Sequence, residues 1–180
     1  MDKSMKILYD EHELIVNAID TAQQSGSLLG TNEVRYESTV RSLINFFRAY
    51  ADRFHHYKEE IILFPEMNRK NELLAEGIIK EMFDNHVEFR EMIGAIEAHL
   101  NEKKYSKANE LLKKYSEALL DHIAVENDEV FQMAETLFNP DELDKIYYRF
   151  EDCDRDLGSK KKMELAELAN ELRKNLLYSE

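Results

Sequence analysis

The stretch FHHYKEEIILFP, residues 54–65, decides the reading of this chain, together with DHIAVENDEVF, residues 121–131. Each carries a histidine followed four residues later by a glutamate. In the second stretch the pair is His122 and Glu126. In the first stretch both His55–Glu59 and His56–Glu60 have the spacing. On a helix, residues four apart lie one above the other on the same face, so an imidazole and a carboxylate point at one place. Neighbouring residues differ by about 100° around a helix, which predicts that only one of the two overlapping pairs faces the core. The apolar positions Leu43, Ile44, Phe47, Tyr50, Ala51 and Phe54 do not choose between them.

Around these stretches the chain reads as helix nearly throughout. Its 180 residues contain only 5 Gly and 2 Pro, leaving few turn signals. Apolar residues recur at helical spacing. The pattern predicts helices over about residues 3–24, 33–67, 72–100 and 106–138, a short one over about 141–151, and a charged one ending near 177. Thr31 or Asn32 is placed to cap the second helix. Pro65 is expected to break or kink it near its end. The fold expected is all-α: an up-down-up-down four-helix bundle over residues 1–138, with a helical extension over 139–180 packed on it.

The bundle makes two more histidines informative. His12 and His86 lie early in the first and third helices, while His56 and His122 lie late in the second and fourth. With antiparallel helices and a rise of about 1.5 Å per residue, all four fall in one slab roughly 14–24 Å from the same end. Four imidazoles and two carboxylates at one height form a ligand set for two metal ions. Such nitrogen and carboxylate donors suit iron, manganese or zinc. Buried carboxylates also need a compensating charge, which a dinuclear centre supplies. His99, near the end of the third helix, is expected on the surface. Ferritin-like oxidases use Glu-x-x-His. No histidine here has a glutamate three residues before it, the nearest match being Asp52 before His55.

Composition narrows the function classes. A net charge of −13 disfavours nucleic acid and anionic membranes, because phosphates are repelled. No apolar run approaches the roughly 20 residues that span a bilayer. The N-terminal MDKSMKILYDEHEL does not read as a signal peptide, and the expected location is cytoplasmic. The single Cys153 lies in the polar run EDCDRD and is read as an incidental thiol.

DEHELI (residues 10–15), FHHYKEEIILFPEM (54–67), NHVEFR (85–90) and DHIAVENDEVFQMAE (121–135) together resemble the hemerythrin-like, HHE cation-binding family. FEDCDRDLG (150–158), followed by a helix, looks like its bacterial members. The resemblance implies a non-haem diiron centre inside a four-helix bundle. By it, His12 and His56 would serve one iron, His86 and His122 the other, and Glu60 and Glu126 would bridge them. It also selects His56 and Glu60 over His55 and Glu59.

Two departures bear on function. Oxygen-carrying members have a fifth histidine where this chain has Arg90, and an aspartate where it has Asn127. A lost imidazole is expected to leave a position open, or filled by water or a carboxylate such as Glu59. That favours reaction with a small oxidant over reversible carriage. Arg90 is expected to pair with a nearby carboxylate. The expected function is binding, sensing or reacting with oxygen, peroxide or nitric oxide. A peroxide-decomposing enzyme and an iron-responsive partner-binding module are the alternatives. The C-terminal helices are read as a cover for the bundle or a homodimer interface.

Overall fold

The computed structural model describes residues 1–177. Among them are six long helices and no strand. The first, α1, is Lys3–Ser25. Asp2 caps it, its carboxylate accepting the Ser4 N–H at 2.8 Å. Helix α2 runs without interruption through residues 33–70 and begins at Asn32, whose side chain accepts the Arg35 N–H. Helix α3 is Ile78–Asn101, α4 covers residues 105–137, α5 is Pro140–Leu157 and α6 is Ser159–Leu177.

Three boundaries differ from expectation. Pro65 does not break α2, which continues to Lys70. The turn before it, Glu59–Leu63, is already π-helical, so the proline's missing N–H falls where the regular ladder has been interrupted. The third helix starts at Ile78, because Glu72–Glu76 is a 3-10 turn that ends at Gly77. The fifth helix extends to Leu157 because its buried stripe of Leu143, Ile146 and Phe150 continues through Cys153, at spacings of three, four and three. Cys153, though set in the polar run EDCDRD, is therefore buried in the apolar core. Helix α5 is held at its start by reciprocal bonds between Asn139 and Glu142, and it ends at Gly158, whose φ of 105° suits glycine.

The core has two apolar clusters with a polar layer between them. Ile15, Phe54, Phe89 and Leu119 belong to one. Leu8, Ile62, Met82 and Val130 belong to the other. Each of the first four helices therefore buries its stripe on both sides of the histidine level, each such side chain contributing roughly 1.5–3 kcal/mol. The order of the clusters reverses from one helix to the next, as antiparallel neighbours require. Helices α5 and α6 join this core. Leu143, Ile146 and Phe150 enter one cluster, and Leu165 and Ala169 the other. No helix among the described residues is long and apolar enough to cross a membrane.

Candidate metal centre

The polar layer gathers seven buried ligand-type side chains into two groups. One comprises His12, His55, Glu59 and Glu126. The other comprises His56, His86 and His122. Within each group, one donor atom per residue lies within 4.8 Å of the others. All seven residues are at most 3% exposed.

Of the residues picked from sequence, His12, His56, His86, His122 and Glu126 are thus brought together. Glu60 is not. Its carboxylate turns outward, accepting from His86 Nδ1 at 2.9 Å and from Arg90 at 2.6 Å. Glu59 stands in the centre instead. His55 enters as a fifth imidazole, and His56 sits with His86 and His122 rather than with His12. The expectation that only one of the adjacent histidines faces inward fails for a definite reason. Residues Phe47–His56 are π-helical, with the Tyr57 N–H bonded to the Asp52 carbonyl five residues back. The wider turn changes the angle between neighbours, so two consecutive side chains flank the bundle axis.

A signal for Glu59 exists in the sequence. Leu63–Phe64 follows Glu59 at the same distance that Val130–Phe131 follows Glu126. Both glutamates open a π-helical turn, Glu59–Leu63 and Glu126–Val130. The carbonyl of Glu59 accepts the Phe64 N–H, and that of Glu126 accepts the Phe131 N–H. The repeat is therefore in register between His55–Glu59 and His122–Glu126.

The two carboxylates face both groups. Glu59 Oε1 is 3.4 Å from His55 Nε2, and its Oε2 is 3.7 Å from His86 Nε2. Glu126 Oε2 is 3.2 Å from His12 Nε2, and its Oε1 is 3.2 Å from His122 Nε2. Although close, these atoms lack the alignment of hydrogen bonds. His12 Nε2, His55 Nε2 and all four carboxylate oxygens are buried without a hydrogen-bond partner. Such orphaned atoms are costly unless something else satisfies them.

Four of the five outer ring nitrogens are hydrogen-bonded, and the fifth, His56 Nδ1, has no such partner and stands 3.5 Å from Asp52. His12 Nδ1 donates to the Asn127 side-chain oxygen at 2.8 Å, and His55 Nδ1 donates to Glu11 at 2.9 Å. His86 Nδ1 donates to Glu60, whereas His122 Nδ1 accepts from the Asn85 amide nitrogen at 3.3 Å. In His12, His55 and His86 the proton on Nδ1 leaves Nε2 as an inward lone pair. Asn127 thus supports His12 from behind, and Arg90 pairs with the carboxylates of Asp52 and Glu60. His99, in the last turn of α3, is partly buried and belongs to neither group.

Electrostatics agree with a cation between the groups. Burial first, then repulsion from Glu126 and Glu11, push the Glu59 carboxyl well above its ordinary range. Burial also opposes ionisation of Glu126, but His122 and His12 outweigh it and hold that group well below. Burial and the neighbouring His12 bring His55 down to about 4, against the pull of Glu11. Burial and the surrounding imidazoles hold His56 well below its usual value. Burial likewise lowers His86, despite its bond to Glu60. Neutral imidazole is the form that binds metal. His86 Nε2 and His122 Nε2 stand 3.0 Å apart, so without a metal the His122 ring donates to His86. The donor set fits a metal centre.

Two hollows reach this layer from opposite sides. One of about 680 Å³ ends at His56, between Phe47, Phe89 and Tyr115, with Arg48 and Arg90 at its rim. Another of about 590 Å³ ends at His12, beside Tyr9, Ile123 and Asn127.

Comparison with curated proteins gives no match, and neither does comparison with solved structures. A family model for the hemerythrin HHE cation binding domain matches residues 4–134, which contain every member of both groups. The chain belongs to the hemerythrin HHE cation-binding domain family.

Proposed function

We propose that this chain is a non-haem diiron protein whose carboxylate-bridged centre binds, senses or reacts with a small oxidant: oxygen, peroxide or nitric oxide. The observation that carries the reading is the two-sidedness of Glu59 and Glu126. Each presents one oxygen to His12 or His55 and the other to His86 or His122. In this reading His12 and His55 would hold one ion, His56, His86 and His122 would hold the other, and Glu59 and Glu126 would be shared between them. Mixed imidazole and carboxylate donors suit iron, with manganese and zinc as competitors. The lone cysteine, which has no partner for an internal disulfide, supports a cytoplasmic setting.

A bound iron pair would supply redox change and coordination to the oxidant. The chain itself does the rest. It orients His12, His55 and His86 by their Nδ1 bonds, keeps the carboxylates dry, and leaves two approaches of small-molecule size. In this reading the expected shortage of one imidazole would be made good, because α2 brings both His55 and His56 to the layer. Asymmetry replaces it: with the two glutamates shared, the His12 group offers one imidazole fewer than the His56 group. An ion on the His12 side would therefore meet fewer protein donors, beside the hollow that Tyr9 and Asn127 line.

The test is reconstitution with ferrous iron without oxygen, followed by metal analysis and mixing with oxygen, peroxide or nitric oxide. Two irons per chain and a spectral change with one of these oxidants are expected. Fewer than one iron per chain after reconstitution would overturn the reading. Peroxide consumption faster than that of free iron would select the peroxide-decomposing enzyme among its forms.

A further inference from the structure

Behind His55 lies a set of four charges, Glu11 and Lys58 buried and Asp154 and Lys162 partly buried, that a metal centre does not itself require. Glu11 Oε2 accepts from His55 Nδ1, and Glu11 Oε1 lies 2.7 Å from Lys58 Nζ. Lys58 is fully buried and also bonds to the Phe54 carbonyl at 3.0 Å and to Asp154 at 2.6 Å. Lys162 closes the ring by pairing with both Glu11 and Asp154. Two ammonium and two carboxylate groups thus balance, one from each of α1, α2, α5 and α6. A buried lysine demands such partners, since an unpaired buried charge is heavily penalised.

Asp154 and Lys162 come from the two C-terminal helices, beyond the residues that the family model matches. We infer that α5 and α6 form a clamp on the metal centre, with Glu11 as the positioning residue for His55 and Lys162 setting how much negative charge Glu11 places on that imidazole. The inference rests on the reading of His55 as a metal ligand. Glu11 fixes the Nδ1–H tautomer, which aims the Nε2 lone pair at Glu59. A carboxylate behind a ligating imidazole also makes it a stronger donor. Lys58 is tethered to its own helix, so it is a fixed part of the ring. Lys162, 20% exposed on its side chain, is the member that the C-terminal helices bring in from outside. The extension thereby acts on the chemistry of the centre without touching it.

The test uses the full chain, metal-free and reconstituted with ferrous iron. Glu11→Gln keeps an acceptor for His55 but removes the charge. It is expected to lower iron affinity about 10- to 100-fold by chelator competition and to raise the reduction potential. Lys162→Met leaves Glu11 less neutralised and is expected to move the potential the opposite way, while Lys162→Arg restores it. In the metal-free protein, nitrogen NMR should find the His55 proton on Nδ1 in the wild type. Opposite shifts in the two variants carry the inference, because loosened packing alone would move both in one direction. Wild-type potentials in Lys162→Met, or shifts of the same sign in both, would overturn it. Should Glu11→Gln not fold, the Lys162→Met and Lys162→Arg pair decides alone. Wild-type protein that binds no iron would instead count against the diiron reading, and a His55 proton on Nε2 in that metal-free protein would overturn the positioning role as well.

Discussion

Glu59 and Glu126 occupy equivalent places, each opening a π-helical turn whose last amide, from Phe64 or Phe131, bonds back to the glutamate's own carbonyl. Their side chains fall in one buried group with His12 and His55. The equivalence gives the bundle an internal two-fold character at the level of the centre. A repeat of three residues, histidine, glutamate and phenylalanine, builds both halves.

This relationship separates Glu59 from its neighbour. Glu59→Ala is expected to reduce iron from two per chain to one or fewer after reconstitution. Glu60→Ala is expected to keep two, since Glu60 binds Arg90 and the outer nitrogen of His86. Metal analysis by mass spectrometry distinguishes them, and the reverse pattern would return the bridge to Glu60.

Both α2 histidines should matter. His55→Ala and His56→Ala are each expected to lower metal content, because each is buried among a different group. Full loading in either variant would show that this imidazole is a packing residue. The sequence pattern alone would have predicted loss in only one of the two.

Metal should stabilise the fold. Four buried carboxylate oxygens have no hydrogen-bond partner, and a bound ion satisfies them. An ion present at a thousand times its Kd adds about 4 kcal/mol, which for a chain of this size raises Tm by roughly 10 °C. Calorimetry before and after chelation reads this directly, and an unchanged Tm would show that the centre is not coupled to folding.

The metal-free protein should lose stability in acid. His55 falls from an ordinary 6.5 to about 4 in the fold, so its contribution is complete above 6.5 and is lost as pH falls toward 4. His56 and His86 are lowered as well, with the same sign. Glu59 runs the other way. Its raised pKa stabilises below 4.5, and that contribution is lost as pH rises. Three imidazoles against one carboxyl make the expected Tm of chelated protein fall between pH 7 and pH 5. A rising Tm would mean that the imidazoles are already protonated in the fold.

Phe131 ties the centre to the core. It is fully buried, stacks on His12 at 5.3 Å and meets the edge of Tyr9 at 5.2 Å. Phe131→Ala is expected to cost about 3–5 kcal/mol in denaturant unfolding of metal-free protein, and to weaken metal retention. A cost below about 1 kcal/mol would mean that the site collapses around the loss.

The amino-acid sequence by itself determined the helices, their antiparallel order and the common height of His12, His86, His122 and the His55–His56 pair. The helices follow from local rules, apolar period and capping side chains, and the order and common height follow from short connections and a fixed rise per residue. The family was legible for the same reason, because its motifs are contiguous. Glu126 was legible too, since no second glutamate competes four residues after His122. What only the tertiary structure decided was Glu59 over Glu60, the inward turn of both α2 histidines, and the ring of Glu11, Lys58, Asp154 and Lys162. A π-helical turn gives up regular hydrogen-bond geometry in return for contacts made across the bundle, so a rotation of about 100° per residue fails where those contacts win. Lys58 is the sharpest case. On a local reading a lysine belongs in water, and it is buried here because two carboxylates from distant parts of the chain are waiting for it.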